Sequence, residues 1–486
     1  MNAGVEVPSL PSSARPPAVG GPVAESERLV TLDVLRGAAV LGILLVNITF
    51  FAAPLLEAQD FRWKRAAGLD AALGMAVRIL CDFKFITLFS LLFGMGLALQ
   101  SRRAAAAGRA FGGLYARRLL VLLTIGILHG VLLWYGDILG TYALLGFIAL
   151  ACRNVGTRRL LIAAGVLFAL PLLFLAGIAA LAPEADWSET QSWGSYAEDD
   201  RSAQRGSTAH SHHGDSFTTA PASSSETVAV SRPATQPAAA SAPANRGEEI
   251  ERRVIRLFQF LDREEEIYRN GPARDMVLHR SIYYFIVVGV IFNAKVAAWR
   301  CLALFFVGIA FIRWGVFDGT DRHAATFRRF LRWGLAIGLP LEIAAFILMN
   351  TSVPNAWIGW SGVALHYTGS MTLSLAYAGG LALLCLKPVW LARLSPLAAV
   401  GRMALTNYLL HSVLCGLIFY SYGLGLFGAV GFAQCVGVAL AVFGLQLVLS
   451  PLWLERFHFG PVEWLWRCLT YGRPVPMRRR TVSSAG

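Results

Sequence analysis

The sequence predicts an all-α fold: a polytopic transmembrane helix bundle of about ten spans, with both termini cytoplasmic. Of 486 residues, 56% are hydrophobic and only 15% charged, against ~25% charged in a soluble globular chain, and the mean hydropathy is +0.54. Apolar windows long enough to cross a bilayer recur along the chain. Arginine clusters flank them at Arg102/Arg103, Arg117/Arg118, Arg158/Arg159, Arg328/Arg329 and Arg478 to Arg480, the bias that marks cytoplasmic loops. The net charge of +13 therefore reads as topology. No basic stripe with interleaved aromatics outside the membrane points to nucleic acid.

Residues 1–30 are rich in Pro, Ala, Gly and Ser. They lack a basic region leading into an apolar core, so they read as a disordered tail and not a signal peptide. A first helix bundle of about five spans is expected over 31–182. Span one, residues 32–51, reads LDVLRGAAVLGILLVNITFF. Asp33 and Arg36 share a face near its start, and Asn47 follows Arg36 by about three turns, so it lies on the same face. That face looks into protein or water, as an interfacial ion pair plus a helix–helix contact or as a functional surface. Residues 60–80 read as an amphipathic helix or loop on the outer side. Span two is 83–99, with Phe85, Phe89 and Phe93 one per turn for packing, and Gly94 and Gly96 for close helix approach. An Arg-rich loop follows, then span three at 119–135 and span four at 138–151. Only Gly136 and Asp137 separate these two, which predicts a tight hairpin. Span five is 160–181.

Residues 183–277 form a polar loop. Its Ala/Ser/Pro-rich part, 220–245, has too little apolar content to fold alone. His210, His212 and His213 read as a solvated tract, so no metal site is expected. Residues 248–268 have the periodicity of an amphipathic helix. A second bundle spans 278–456: an interfacial or re-entrant segment at 281–296, then spans at 302–317, 334–349, 362–386, 400–420 and 428–449. Residues 457–486 form a basic cytoplasmic tail.

The seven cysteines are scattered through apolar segments without a CxxC, and read as small apolar side chains. There is no GxSxG, Walker A or HExxH motif. One GxGxxG, at Gly423, Gly425 and Gly428, falls in a short connection with no strand before it, and reads as a Gly-rich turn. The most informative polar residues are His129 in span three and Asp137 in the hairpin. An intramembrane histidine faces a cavity or a partner, and imidazole suits proton transfer; a neutral His bonded to a neighbouring helix is the bland alternative. Asn407 and His411 are four apart and share a face, with Thr406 beside them and Arg402 at the cytoplasmic end. They line a cavity or bond two helices together. Glu342 is a lone intramembrane carboxylate, paired or protonated. His366 and Tyr367 read as an interfacial aromatic belt.

The stretches LDVLRGAAVLGILLVNI, FITLFSLLFGMG, RRLLVLLTIGILHGVLLWYGDIL, GRMALTNYLLHSVL and FGPVEWLWRCLTYGRPVPMRR resemble the YeiB-like family of bacterial inner-membrane proteins. The resemblance runs in order along nearly the whole chain and is weakest over 183–277. That family is distantly similar to membrane acyltransferases, the acyltransferase-three and heparan-α-glucosaminide N-acetyltransferase families, with the likeness resting mainly on the first span. The resemblance implies acyl transfer from cytoplasmic acyl-CoA to an acceptor, often a sugar, on the far side. Acyltransferase-three members typically carry a histidine where this chain has Asn47, whereas the glucosaminide acetyltransferases look similar in having asparagine there. Their catalytic histidine lies soon after the first span. This chain has none before His129, so the role passes to His129 or the chemistry differs.

On this reading the chain is a transmembrane acyltransferase of the bacterial inner membrane. His129 is the general base, Asp137 orients it, and Asn47 donates to the carbonyl oxyanion. Arg36, Arg118 and Arg402 hold the phosphates of acyl-CoA, with Asn407 in the substrate site. The expected partners are the lipid bilayer and the small-molecule donor and acceptor. The alternative is a transporter or exporter of a small or lipidic solute, with His129, Glu342 and Asn407 along its path; neither an inverted repeat nor a broken helix is evident in the sequence. A third reading is a scaffold that recruits a partner through 183–277.

Overall fold

The computed structural model describes residues 29–55, 58, 67–181, 260, 263–286, 298–317, 322–351 and 355–479. They are helical almost throughout, and an isolated bridge between Phe457 and Arg478 is the only β pairing among the described residues. In chain order the helices are α1 (Val30–Ala52), α2 (Gly68–Leu80), α3 (Lys84–Ala106), α4 (Gly112–Leu132), α5 (Leu139–Ala151) and α6 (Thr157–Leu181). After the polar region come α7 (Glu264–Asn270), α8 (Ala273–Ile282), α9 (Ala298–Arg313), α10 (Ala324–Met349) and α11 (Ala356–Cys385). The last five are α12 (Pro388–Arg393), α13 (Ser395–Arg402), α14 (Ala404–Phe419), α15 (Phe432–Arg456) and α16 (Pro461–Tyr471).

Six helices, α1, α4, α6, α10, α11 and α15, are long and apolar enough to cross a membrane. The α13–α14 pair, bent by 83°, makes a seventh if counted as one span. The chain is thus a multi-pass membrane protein. The count falls below the expected ten partly because α5 and α9 have 13 and 16 residues. At ~20 and ~24 Å they fall short of a ~30 Å hydrocarbon core.

Two expected loops are largely helix. α4 starts at Gly112 and takes in Arg117 and Arg118, while α10 starts at Ala324 and takes in Arg328, Arg329 and Arg332. Arginine is a good helix former, and its long stem lets the charge snorkel from a helix end. The expected span at 400–420 is broken at Met403. A Cβ at Gly401 would fall on the Asp33 carbonyl, so glycine lets the end of α13 press against the start of α1. Expectations for 183–259 and 287–297, including the His tract, lie outside the described residues.

One end of the bundle carries Arg102, Arg103, Arg117, Arg118, Arg153 and Arg328; we call it the arginine end. α16 lies there: Trp466 Nε1 donates to the Arg118 carbonyl (2.9 Å). The carboxylate of Glu463 accepts from the amides of Leu405 (2.8 Å) and Thr406 (3.0 Å), which caps the start of α14. Burial pushes this carboxyl above the usual carboxylate range, against the hydrogen bonds from Thr406 and Leu405 that lower it. Glu463→Ala orphans two partly buried helix-terminal amides. It is expected to cost about 1–3 kcal/mol, read by thermal unfolding of the solubilised protein, with Glu463→Gln costing less.

At the opposite end, α7 and α8 lie over the bundle. Glu264 accepts from the Leu55 amide (2.9 Å), and Arg280 donates to the Leu132 carbonyl at the end of α4 (2.6 Å). Inside, α3 and α9 approach closely through glycines: a Cβ at Gly94 would meet the Phe305 backbone, and one at Gly308 the Leu91 carbonyl. Gly94→Val is therefore expected to destabilise the bundle by about 1–3 kcal/mol or more. Gly96→Val, which meets nothing within 4 Å, serves as the control in the same unfolding assay.

Candidate functional site: a buried Ser–His–Asp line

His129 sits one turn from the end of α4, and Asp137 lies in the connection to α5. The short hairpin folds the carboxylate back onto the ring: His129 Nδ1 is 2.9 Å from Asp137 Oδ1. The other carboxylate oxygen accepts from the Gly140 amide at the start of α5 (2.7 Å). A Cβ at Gly126 or Gly140 would collide with neighbouring atoms that include Asp137 Oδ2, so these two glycines let the hairpin close. On the far side of the ring, Ser412 Oγ of α14 is 2.8 Å from Nε2. His129, Asp137 and Ser412 are each no more than 2% exposed.

The carboxylate beside Nδ1 places the ring proton there and leaves Nε2 to accept from the serine. This is the order of groups that activates a hydroxyl nucleophile. Ser412 differs from several other helical hydroxyls of the bundle. Thr87, Ser90, Ser281, Ser370 and Ser374 each bond the carbonyl four residues back in their own helix, the usual habit. Among the described residues, the hydrogen bond of Ser412 goes to His129 instead.

The site is walled by aromatics. The Tyr408 and Trp134 rings lie 5.1 and 6.4 Å from that of His129, and Trp134 stacks on Phe51 at the end of α1 (4.3 Å). Beside it runs an apolar cleft of about 260 Å³. Its lining includes Leu132 and Leu133 after His129, Val413 and Leu417 beside Ser412, and Met276 and Val277 of α8.

The remaining sequence candidates fall into three groups. Asn47 is half-buried one turn before Phe51 and makes no hydrogen bond among the described residues. Asn407 and His411 belong to a second buried line. Asn407 donates to the Val400 carbonyl (3.2 Å) and to Ser450 (3.1 Å), His411 pairs with Gln446 (2.9 Å), and Gln446 donates back to the Asn407 carbonyl (3.0 Å). This line ties α14 to α15 and bridges the break at Met403. The third group is at the arginine end. Arg36 pairs with Asp33 (2.7 Å) and lies within electrostatic range of Arg118, whose guanidinium stacks on Trp466 (3.8 Å). Arg402 follows Gly401 against the start of α1. Three arginines thus gather around the foot of α1, and His129 stands eleven residues above Arg118 on α4, ~16 Å along the axis.

His366 corrects the sequence reading. It is not part of an interfacial belt: it is buried, and its Nδ1 lies 2.9 Å from Glu342 Oε2. Glu342 also pairs with Lys84 Nζ at 2.6 Å, which supplies the partner the sequence left unnamed. Ser412 is the residue that sequence reasoning missed. It lay inside GRMALTNYLLHS, directly after His411, but nothing local marks it.

Comparison with known proteins gives a family. The family described as protein of unknown function (DUF418) matches residues 311–473, which include Ser412 but neither His129 nor Asp137. The uncharacterized protein YxaH of Bacillus subtilis (strain 168) is 31% identical over 465 residues, 95% of this chain and 98% of that protein. The uncharacterized protein YeiB of Escherichia coli (strain K12) is 27% identical over 463 residues, 94% of this chain and 99% of that protein.

Proposed function

The chain belongs to the YeiB-like DUF418 family, and on that premise we propose that it is a transmembrane acyltransferase working through Ser412, His129 and Asp137. The observation that supports this most is the placing of His129 between a carboxylate and a serine hydroxyl freed from its own helix. Acyl-CoA enters at the arginine end, taken as cytoplasmic, with Arg36, Arg118 and Arg402 on its phosphates. Its extended arm bridges the ~16 Å to His129. The chemistry has two halves. Ser412 Oγ attacks the thioester carbonyl while His129 Nε2 takes its proton; the Oγ–acyl bond forms, the C–S bond breaks, and the proton leaves on the CoA thiol. An acceptor hydroxyl or amine then gives a proton to Nε2, bonds the acyl carbon, and displaces Ser412 Oγ, which takes the proton back. Asp137 positions the ring, Asn47 serves as the oxyanion donor, and the apolar cleft takes the acyl chain.

We keep about ten crossings, both termini cytoplasmic, and the bacterial inner membrane as the setting. The test is labelled acetyl-CoA, and a longer acyl-CoA, supplied to vesicles with and without the chain. Label passing to a product other than CoA only where the chain is present supports acyl transfer; no such label with either donor sinks it. A transporter is the second reading, favoured by the 83° break between α13 and α14, a broken helix of the kind that frames transport sites. Proton-dependent solute uptake with no acyl product would select it.

A further inference from the structure

A second cluster of buried ionic groups lies at the end away from the arginines and takes no part in the Ser–His–Asp line. Lys84 opens α3, Arg300 stands near the start of α9, Glu342 is in the last third of α10, and His366 is in the first third of α11. Arg300, at 2% exposed, donates to Ser370 Oγ (2.8 Å) and Thr87 Oγ1 through Nη2. Its guanidinium lies over the rings of Phe83 (5.4 Å) and Tyr367 (4.9 Å). Phe83 is the non-glycine residue held at positive φ (61°) among the described residues.

The charges do not cancel. Among the described residues, Lys84 and Arg300 bring two positive charges and Glu342 one negative, Arg78 pairs with Asp82 beside them, and Glu342 and Asp82 act on Arg300 from a distance. No carboxylate lies within ion-pair distance of Arg300 among the described residues, and the adjoining residues 287–297 contain no Asp or Glu. Buried in a membrane protein, a guanidinium with no carboxylate in contact is disfavoured. Five polar atoms here have no partner among the described residues: Nε and Nη1 of Arg300, the Tyr367 hydroxyl, Glu342 Oε1 and His366 Nε2. The first two donate. Glu342 Oε1 accepts, and so does Nε2 of a neutral His366 whose Nδ1–H is given to the carboxylate.

We propose that this cluster binds a small hydroxy acid: the acid anion on Arg300 neutralises the excess positive charge, and the neighbouring hydroxyl donates to Glu342 or His366. A bare anion leaves those acceptors empty, and a neutral alcohol leaves the guanidinium uncompensated. Removing Arg300 orphans neither hydroxyl it touches, because Thr87 and Ser370 also bond their own helix carbonyls. Arg300→Met is therefore a clean deletion of the charge.

The experiment measures Tm of the full chain in lipid nanodiscs against sodium lactate, sodium acetate and sodium chloride at matched ionic strength. Lactate is expected to raise Tm by at least about 3 °C with saturation, acetate to need at least tenfold more, and chloride to do nothing. Arg300→Met is expected to abolish the lactate shift and to match or exceed the wild-type Tm without ligand. Tyr367→Phe, which removes one open hydroxyl, raises the half-saturating lactate at least threefold and serves if Arg300→Met fails to fold. No lactate shift in the wild type, or an undiminished shift in both variants, overturns the site. Equal responses to acetate and lactate overturn the hydroxy-acid assignment.

Discussion

Ser412→Ala and His129→Ala are each expected to lower acyl transfer by at least ~10³-fold, with the protein still inserted and folded. The two differ in what they leave behind. Ser412→Ala removes one oxygen and leaves a single imidazole nitrogen unpaired, a stability change of about 1–3 kcal/mol at most. His129→Ala opens a cavity and strips Asp137 Oδ1 of its partner, although Oδ2 keeps the Gly140 amide; His129→Gln limits that damage and should be equally inactive. Asp137 acts through the ring, so Asp137→Asn should depress kcat far more than KM, and Asp137→Glu should recover part of it. Full transfer by Ser412→Ala with no transfer by His129→Gln would remove the covalent half and leave His129 as a base acting directly on the acceptor. Full transfer by both would remove the site.

Glu342→Ala is expected to be the most destabilising single substitution, at about 3–5 kcal/mol. Glu342 Oε2 meets both Lys84 Nζ (2.6 Å) and His366 Nδ1 (2.9 Å), and neither Lys84 nor Glu342 is more than 1% exposed. Deleting the carboxylate leaves an ammonium buried among helices with the Arg78 carbonyl (3.1 Å) as its hydrogen-bond partner among the described residues and the Asp82 carboxylate acting only from a distance. The double change Glu342→Leu with Lys84→Met replaces the pair by apolar side chains and should recover most of the loss. Thermal unfolding of the purified variants reads both. A double variant no more stable than Glu342→Ala would show that the two groups do not compensate one another.

Hydropathy made the helix bundle legible because a membrane protein must bury its backbone polar groups in helices and face lipid with apolar side chains. The His129–Asp137 pair was legible for a local reason: the connection between the helices is short, residues 133–138 where the sequence suggested two, and it returns Asp137 to the ring. Ser412 was not legible. It is 283 residues from His129, and its position depends on an 83° break that no proline marks at Met403. The break rests on Gly401 against Asp33 and on Glu463 capping α14, both contacts between segments far apart in the chain. Glu342 could be recognised as needing a partner, but Lys84 could not be named from patterns within one helix. His366 was misread as interfacial because α11 is apolar with its small and polar residues spread all round it, so the sequence shows no amphipathic face. Charge bias alone also drew the loops too long, since Arg117, Arg118, Arg328 and Arg329 are helical.

The most direct measurement is a single turnover with acyl-CoA in the absence of acceptor, quenched in acid and followed by peptide mass spectrometry. An acyl adduct on the peptide containing Ser412, formed by the wild type and missing from His129→Gln, is the predicted result. Product formed from added acceptor at full rate, with Ser412 never acylated, would contradict it.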